Sequence, residues 1–226
     1  MTEYFANADL DGSALIIAYA GLFIASFTSL FSIVNPLAAM PVFLSLTSGY
    51  APKDRTQTAK KATIYMFAVL IVFLLVGTYI LNFFGISLPG IRIAGGLIIM
   101  RSGYSMLNPQ TGGKKLTEED EKAALGKEDI SFSPLALPLL SGPGSIAVVI
   151  GFASQANNAV DYIIHAVSIL SVVLLSYVLL RLSPAVIKAI GQNGLTVMTR
   201  LMGFLVMAIS VQFILSGITQ YFQIAI

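Results

Sequence analysis

Charged residues are missing from long stretches of this chain. None lies between Ala14 and Gly49, or between Ala62 and Ile91. An uncharged apolar run of about 18 residues or more reads as a membrane-crossing helix. The pattern predicts six such helices, at about 14–48, 57–82, 88–107, 130–154, 159–181 and 197–222. Helix breakers mark their ends. Ala51-Pro52-Lys53-Asp54 closes the first, Leu88-Pro89-Gly90 opens the third and Asn108-Pro109 closes it. Ser183-Pro184 and the stretch from Gly191 to Gly194 are expected to separate the last two.

Composition agrees with an all-α membrane protein. Apolar residues make up 56% of the chain and charged residues 11%, against about 25% charged in a soluble domain. Basic residues then orient the spans. Lys53, Arg55, Lys60 and Lys61 follow the first span, and Lys114, Lys115, Lys122 and Lys127 lie between the third and fourth. Arg181 and Lys188 lie between the fifth and sixth. The loops at about 82–88 and 154–159 and both tails carry no Lys or Arg. Basic loops stay cytoplasmic, so six spans with both termini outside satisfy the alternation. The first residues include Glu3, Asp9 and Asp11, unlike the basic start of a signal peptide, so an uncleaved outer tail is expected. The whole chain, 1–226, reads as one transmembrane domain with a cytoplasmic loop at about 108–129. In that loop Thr117 is a helix N-cap candidate, and Glu118 to Glu121 read as a solvated charged face rather than a cation site.

A net charge of +2 with no basic stripe excludes nucleic acid as a partner. With no Cys and one His, neither a catalytic constellation nor a metal cluster is expected, and no cofactor is implied.

The two halves repeat. Ile91-Arg92-Ile93-Ala94-Gly95-Gly96 in the third span matches Thr199-Arg200-Leu201-Met202-Gly203-Phe204 in the sixth, and Asn35-Pro36 in the first matches Gly142-Pro143 in the fourth. The arginines are 108 residues apart and the prolines 107, so nearly one shift superposes both landmarks. Each half, about 14–107 and 130–222, holds three spans. An odd number places the second half upside down, as in transporters built from inverted repeats.

The first span is too long to be one straight helix: about 34 residues reach roughly 50 Å against an apolar core of about 30 Å. Pro36 removes an N–H and its ring disturbs the preceding turn, while Asn35 before it is pushed from the helical region. They read as an N-cap and the first position of a new helix. Gly142 and Pro143 repeat the device, followed by Gly144 and Ser145. Counting residues puts both breaks near the bilayer midplane, where unpaired backbone survives only beside protein or a polar cavity. The restarted helices offer N–H groups near Leu37, Ala38 and Ala39 and near Gly144, Ser145 and Ile146, which suit a carboxylate. Carbonyls near Phe31, Ser32 and Ser141 suit an ammonium. The small lining of Ser32, Ala38, Ser141, Gly142, Gly144 and Ser145 fits a small zwitterion. The bland alternative is a pair of tightly packed kinks.

At these residues the sequence resembles the MarC family of membrane proteins. The segments are Phe31-Ser32-Ile33-Val34-Asn35-Pro36-Leu37-Ala38-Ala39-Met40-Pro41-Val42-Phe43, Pro138-Leu139-Leu140-Ser141-Gly142-Pro143-Gly144-Ser145, Ile91 to Gly96, and Val211-Gln212-Phe213-Ile214 with Gly217. The resemblance implies transport of glycine, alanine and similar small neutral amino acids in a prokaryotic inner membrane. It also implies dependence on the proton or electrochemical gradient.

Other polar residues have two readings each. Gln212 either lines the pathway or bonds between helices. Arg92 and Arg200 are snorkelling anchors by default, with a gating or coupling role as the alternative. His165 is expected at the outer interface, with proton coupling as its alternative, since the one carboxylate near a predicted span, Asp161, sits at the edge of the fifth. Gly95 and Gly96 could pack helices within one chain or between copies in a homo-oligomer. Three functions follow: an alternating-access transporter of small neutral amino acids, a channel-like facilitator or exporter of small polar solutes, and a non-transporting scaffold among membrane lipids.

Overall fold

A computed structural model describes residues 12–108 and 130–223. The acidic tail, the Thr117 cap and the acidic run after it lie outside these residues. Every element among them is helical.

Asn35 ends one helix and begins the next. α1 covers Gly12–Val34 and α2 Pro36–Leu46. Asn35 sits between them in the left-handed region (φ 43°, ψ 68°), which Asn visits more readily than most side chains because its amide bonds locally. Its Oδ1 accepts the Ala38 N–H at 3.2 Å, and Pro36 occupies the first helical position, where no N–H is needed. At the far end of α2, Arg55 donates to the Thr47 carbonyl at 2.9 Å. A cation there also complements the helix dipole.

α3 is Pro52–Phe83 and begins inside the basic segment, a turn earlier than the apolar run suggests. Pro52 presets the first turn, and Asp54 in that turn complements the positive end of the dipole. α4 is Leu88–Leu107, capped by Ser87, whose Oγ accepts the Gly90 N–H at 3.2 Å. α5, Ser131–Leu140, is not the regular half-helix that the sequence predicts. Its turns are wide, with Ser141 N–H bonded to the Ala136 carbonyl at 2.8 Å, and Ser133 and Leu137 are extended. Pro134 and Pro138 deny it two backbone donors. α6, Pro143–Gln155, restarts after Gly142.

α7, Ala159–Phe222, corrects one expected boundary. The helix runs straight through Ser183-Pro184 and turns only at Gly191, whose φ of 70° suits glycine. Pro184 cannot donate to the Leu180 carbonyl four residues back. The Ser183 hydroxyl donates to that carbonyl instead, at 2.7 Å. A neighbouring hydroxyl that takes up the freed acceptor is how membrane helices tolerate proline.

α7 packs against α1, α2, α3 and α4, α6 against α1, α3 and α4, and α5 against α2 and α3. Leu30, Val34, Met40, Phe43, Leu70 and Ile169 are fully buried at the centre. α4 and the end of α7 run antiparallel at close range: a Cβ on Gly203 would lie 3.1 Å from the Gly103 carbonyl oxygen, and one on Gly217 2.9 Å from that of Pro89. Gly95 faces Ala147 and Gly96 faces Ile214, so this glycine pair packs helices within the chain.

Four segments are long and apolar enough to cross a membrane: Gly12–Leu46, Pro52–Phe83, Ala159–Gly191 and Asn193–Phe222. α4, at 20 residues, and α6, at 13, are shorter. Large apolar side chains such as Ile17, Tyr79, Phe83, Leu201 and Phe204 stand exposed around the outside. Water would disfavour such a surface and lipid accepts it, so the chain is a multi-pass membrane protein.

Candidate functional site

The two breaks meet. Gly144, two residues into α6, packs against Ile33 of α1 and Ile99 of α4. A Cβ placed on it would lie 3.4 Å from Ile33 Cγ2 and 3.0 Å from Ile99 Cγ1. Ser32, Asn35, Pro36, Ser141, Gly144 and Ser145 are all buried. Leu37, Ala38 and Gly142 are half-buried and Pro143 is exposed. The two helix breaks therefore approach each other at Gly144 and Ile33, as a packed crossing.

Local bonding uses some of the groups expected to be free. The Phe31 carbonyl accepts the Asn35 N–H at 2.8 Å, so it is not spare for an ammonium. Ala38 N–H is capped by Asn35, and Ala39 N–H bonds the Asn35 carbonyl at 3.3 Å. The Asn35 amide nitrogen points at Met106 Sδ, 3.2 Å away. α6 is less complete. Gly142 is extended (φ −69°, ψ 171°) and has no side chain to cap the helix. Ile146 N–H reaches the Gly142 carbonyl at 3.2 Å, while the N–H groups of Gly144 and Ser145 meet no acceptor among the described residues. The Ser145 hydroxyl donates back to the Leu140 carbonyl at 3.2 Å. Beside them the Ser141 hydroxyl is 0% exposed and has no partner. A buried hydroxyl without a partner costs about 1–3 kcal/mol.

A second polar region lies along α1 toward its beginning. A cavity of about 310 Å³ opens between α1, α4, α6 and α7. Its polar lining is Ser26, Ser29, Arg92, Gln155, His165, Gln212 and Ser216, and its apolar lining includes Leu22, Phe152 and Phe213. Three residues that the sequence left with divided readings, Arg92, His165 and Gln212, thus share one space.

His165 lies near the start of α7, but it is covered by protein rather than exposed. It is 2% exposed, its Nδ1 lies 2.9 Å from Ser26 Oγ, and its ring stacks on Phe152 with centroids 4.9 Å apart. The count from the start of α7 was sound. What it missed is that α1 and α6 cover this face. Asp161, one turn earlier, is also buried, and its carboxylate accepts the Asn157 N–H at 2.8 Å. Arg92 is half-buried and donates to Gln220 Oε1 at 2.9 Å and to Ser154 Oγ at 3.4 Å. Arg200, its counterpart by sequence offset, is exposed and stands apart from both regions. Sequence reasoning missed Ser26, Ser29, Gln155 and Ser216. Serines spaced three apart on α1 were the available signal, but serine also occurs in membrane helices bonded only to its own turn.

Comparison with known proteins gives one family. A model described as MarC family integral membrane protein matches residues 20–222. A membrane protein of Methanocaldococcus jannaschii is 41% identical over 196 residues, covering 87% of this chain and 95% of that protein. The inner membrane protein MarC of Citrobacter koseri is 36% identical over 205 residues, covering 84% and 91%. That of Salmonella typhimurium is 35% identical over 201 residues with the same coverage. No solved structure matches the chain.

Proposed function

The chain belongs to the MarC family of integral membrane proteins, and on that premise we propose that it is a secondary transporter of small neutral amino acids such as glycine, alanine and serine. The observation that carries this reading is the start of α6. Two unbound N–H groups, Gly144 and Ser145, and the unpartnered Ser141 hydroxyl gather at a break in mid-helix. Such a cluster suits a carboxylate, and once the crossing separates the small residues around it would admit little more than a small zwitterion.

Alternating access supplies the mechanism. α1–α2, α3 and α4 form one three-span unit; α5–α6 and the two parts of α7 form the other, inverted. The shared sequence offset and the antiparallel packing of α4 on the end of α7 support that symmetry. Transporters of this kind rock one repeat against the other around a site at the broken helices. The packed crossing at Gly144 is then the closed gate, and separating α6 from Ile33 and Ile99 uncovers the N–H groups. Both termini face outward in an inner membrane, by the basic loops. His165, buried on the wall of the cavity, is the proton-coupling group of choice.

Uptake of radiolabelled glycine and alanine into proteoliposomes, with and without an imposed proton gradient and potential, tests the reading. Saturable uptake competed by serine but not leucine supports it. Unsaturable flux would replace it with a channel-like facilitator. Folded, inserted protein that neither binds nor transports would leave a membrane scaffold.

A further inference from the structure

We propose that the cavity between α1, α4, α6 and α7 is a second, separate binding site, in which the Arg92 guanidinium receives the carboxylate of a small zwitterion before it reaches the helix breaks. The proposal rests on the transport reading for its role as a first stop, and its test separates the two.

Three observations converge on it. First, Arg92 has a charge without a partner. It lies in a helix with lipid-facing neighbours, donates only to the neutral Gln220 and Ser154, and forms no ion pair among the described residues. A half-buried guanidinium among packed helices is costly unless another charge answers it. A guanidinium has five N–H donors in a planar fork, so two hydrogen bonds leave capacity for a carboxylate. Second, there is room: about 310 Å³ falls at the small end of the ~300–1,000 Å³ typical of small-molecule sites. Third, the rest of the lining fits an ammonium. Gln155 uses its amide nitrogen on the Gly151 carbonyl at 3.1 Å, which leaves Oε1 as an acceptor. Gln212 and Ser29 add further acceptors on the cavity wall. The Ser26–His165 bond fixes the fourth side. Phe152 and Phe213 add apolar surface to the lining and give a larger side chain no polar partner. The same guanidinium would also attract the phosphate of an anionic lipid headgroup, so lipid composition is one arm of the test.

The chain has no cysteine, so an Ala25→Cys substitution places a single thiol on the cavity wall and leaves every residue offered to the ligand unchanged. The rate of its modification by a sulfonate-bearing thiol reagent is measured in liposomes of phosphatidylcholine alone and with phosphatidylglycerol. Glycine or acetate at about ten times its half-protecting concentration should slow labelling roughly tenfold. Glycinamide, which lacks the carboxylate, should not. Arg92→Gln should abolish protection and Arg92→Lys should retain part of it. Protection by glycinamide equal to that by glycine overturns the proposal, as does protection that survives in Arg92→Gln. Labelling that responds only to phosphatidylglycerol also overturns it, and assigns Arg92 to lipid. Because the glycinamide comparison needs no change at Arg92, a misfolded Arg92 variant does not remove the test. Glycine protection without glycine uptake leaves this site standing and ends the transport reading. Uptake without protection does the reverse.

Discussion

Two polar regions lie along α1, and their bonding differs. Around Asn35 the groups are turned inward: Oδ1 takes the Ala38 N–H, the amide nitrogen faces Met106, and the chain is sealed by Ile33, Ile99 and Gly144. Around Ser26 and Ser29 the groups line open space and include an arginine that meets no carboxylate among the described residues. Polar residues at the first region mostly satisfy the fold, and those at the second have capacity left for a ligand. The α6 side of the crossing, with Ser141, Gly144 and Ser145, keeps unused donors while packed shut.

The sharpest way to break the contrast is Gly144→Leu. The added side chain must push on Ile33 and Ile99, overpacking that costs about 1–3 kcal/mol, and it covers the free N–H groups. Uptake should fall to background in protein that still elutes as a folded species. Normal uptake would remove the crossing from the pathway. Asn35→Leu comes next. It loses a cap worth about 1 kcal/mol and forces a branched side chain into a left-handed position, adding about 1–2 kcal/mol. Asn35→Gly keeps the backbone conformation and should cost distinctly less. Equal melting temperatures for the two in detergent would show that the left-handed cap is not what matters.

At the open region, Arg92→Gln should raise the KM for glycine about tenfold with kcat little changed, the signature of lost ground-state binding. A fall in kcat alone would place Arg92 in the gate. His165→Gln keeps a hydrogen bond for Ser26 but cannot carry a proton. Uptake in this variant should run at its gradient-free rate whether or not a pH difference is imposed. Retained stimulation would move coupling elsewhere. The smallest effect belongs to Ser183→Ala, far from both regions. It leaves the Leu180 carbonyl beside Pro184 unpaired and should cost about 1 kcal/mol, seen as a lower melting temperature with uptake unchanged.

The sequence by itself determined the elements whose causes are local. Absence of charge over a helix-length run dictates a membrane helix, so the long spans were legible from composition alone. Asn35-Pro36 and Gly142-Pro143 carry their conformations in their own covalent chemistry, so both breaks and their caps fall where the residues say. Even local rules met a limit at Ser183-Pro184, because one hydroxyl could supply the bond that proline removes. What only tertiary structure decided is which polar groups remain unspent. His165 is buried because α1 and α6 lie over it. Arg92, Gln212 and Ser29 share a cavity because helices distant in the chain diverge there. Gly144 is closed off because Ile33 and Ile99 occupy its side. A hydrogen-bond donor looks the same in the sequence whether or not a neighbour has claimed it, and neighbours are assigned only when the helices pack.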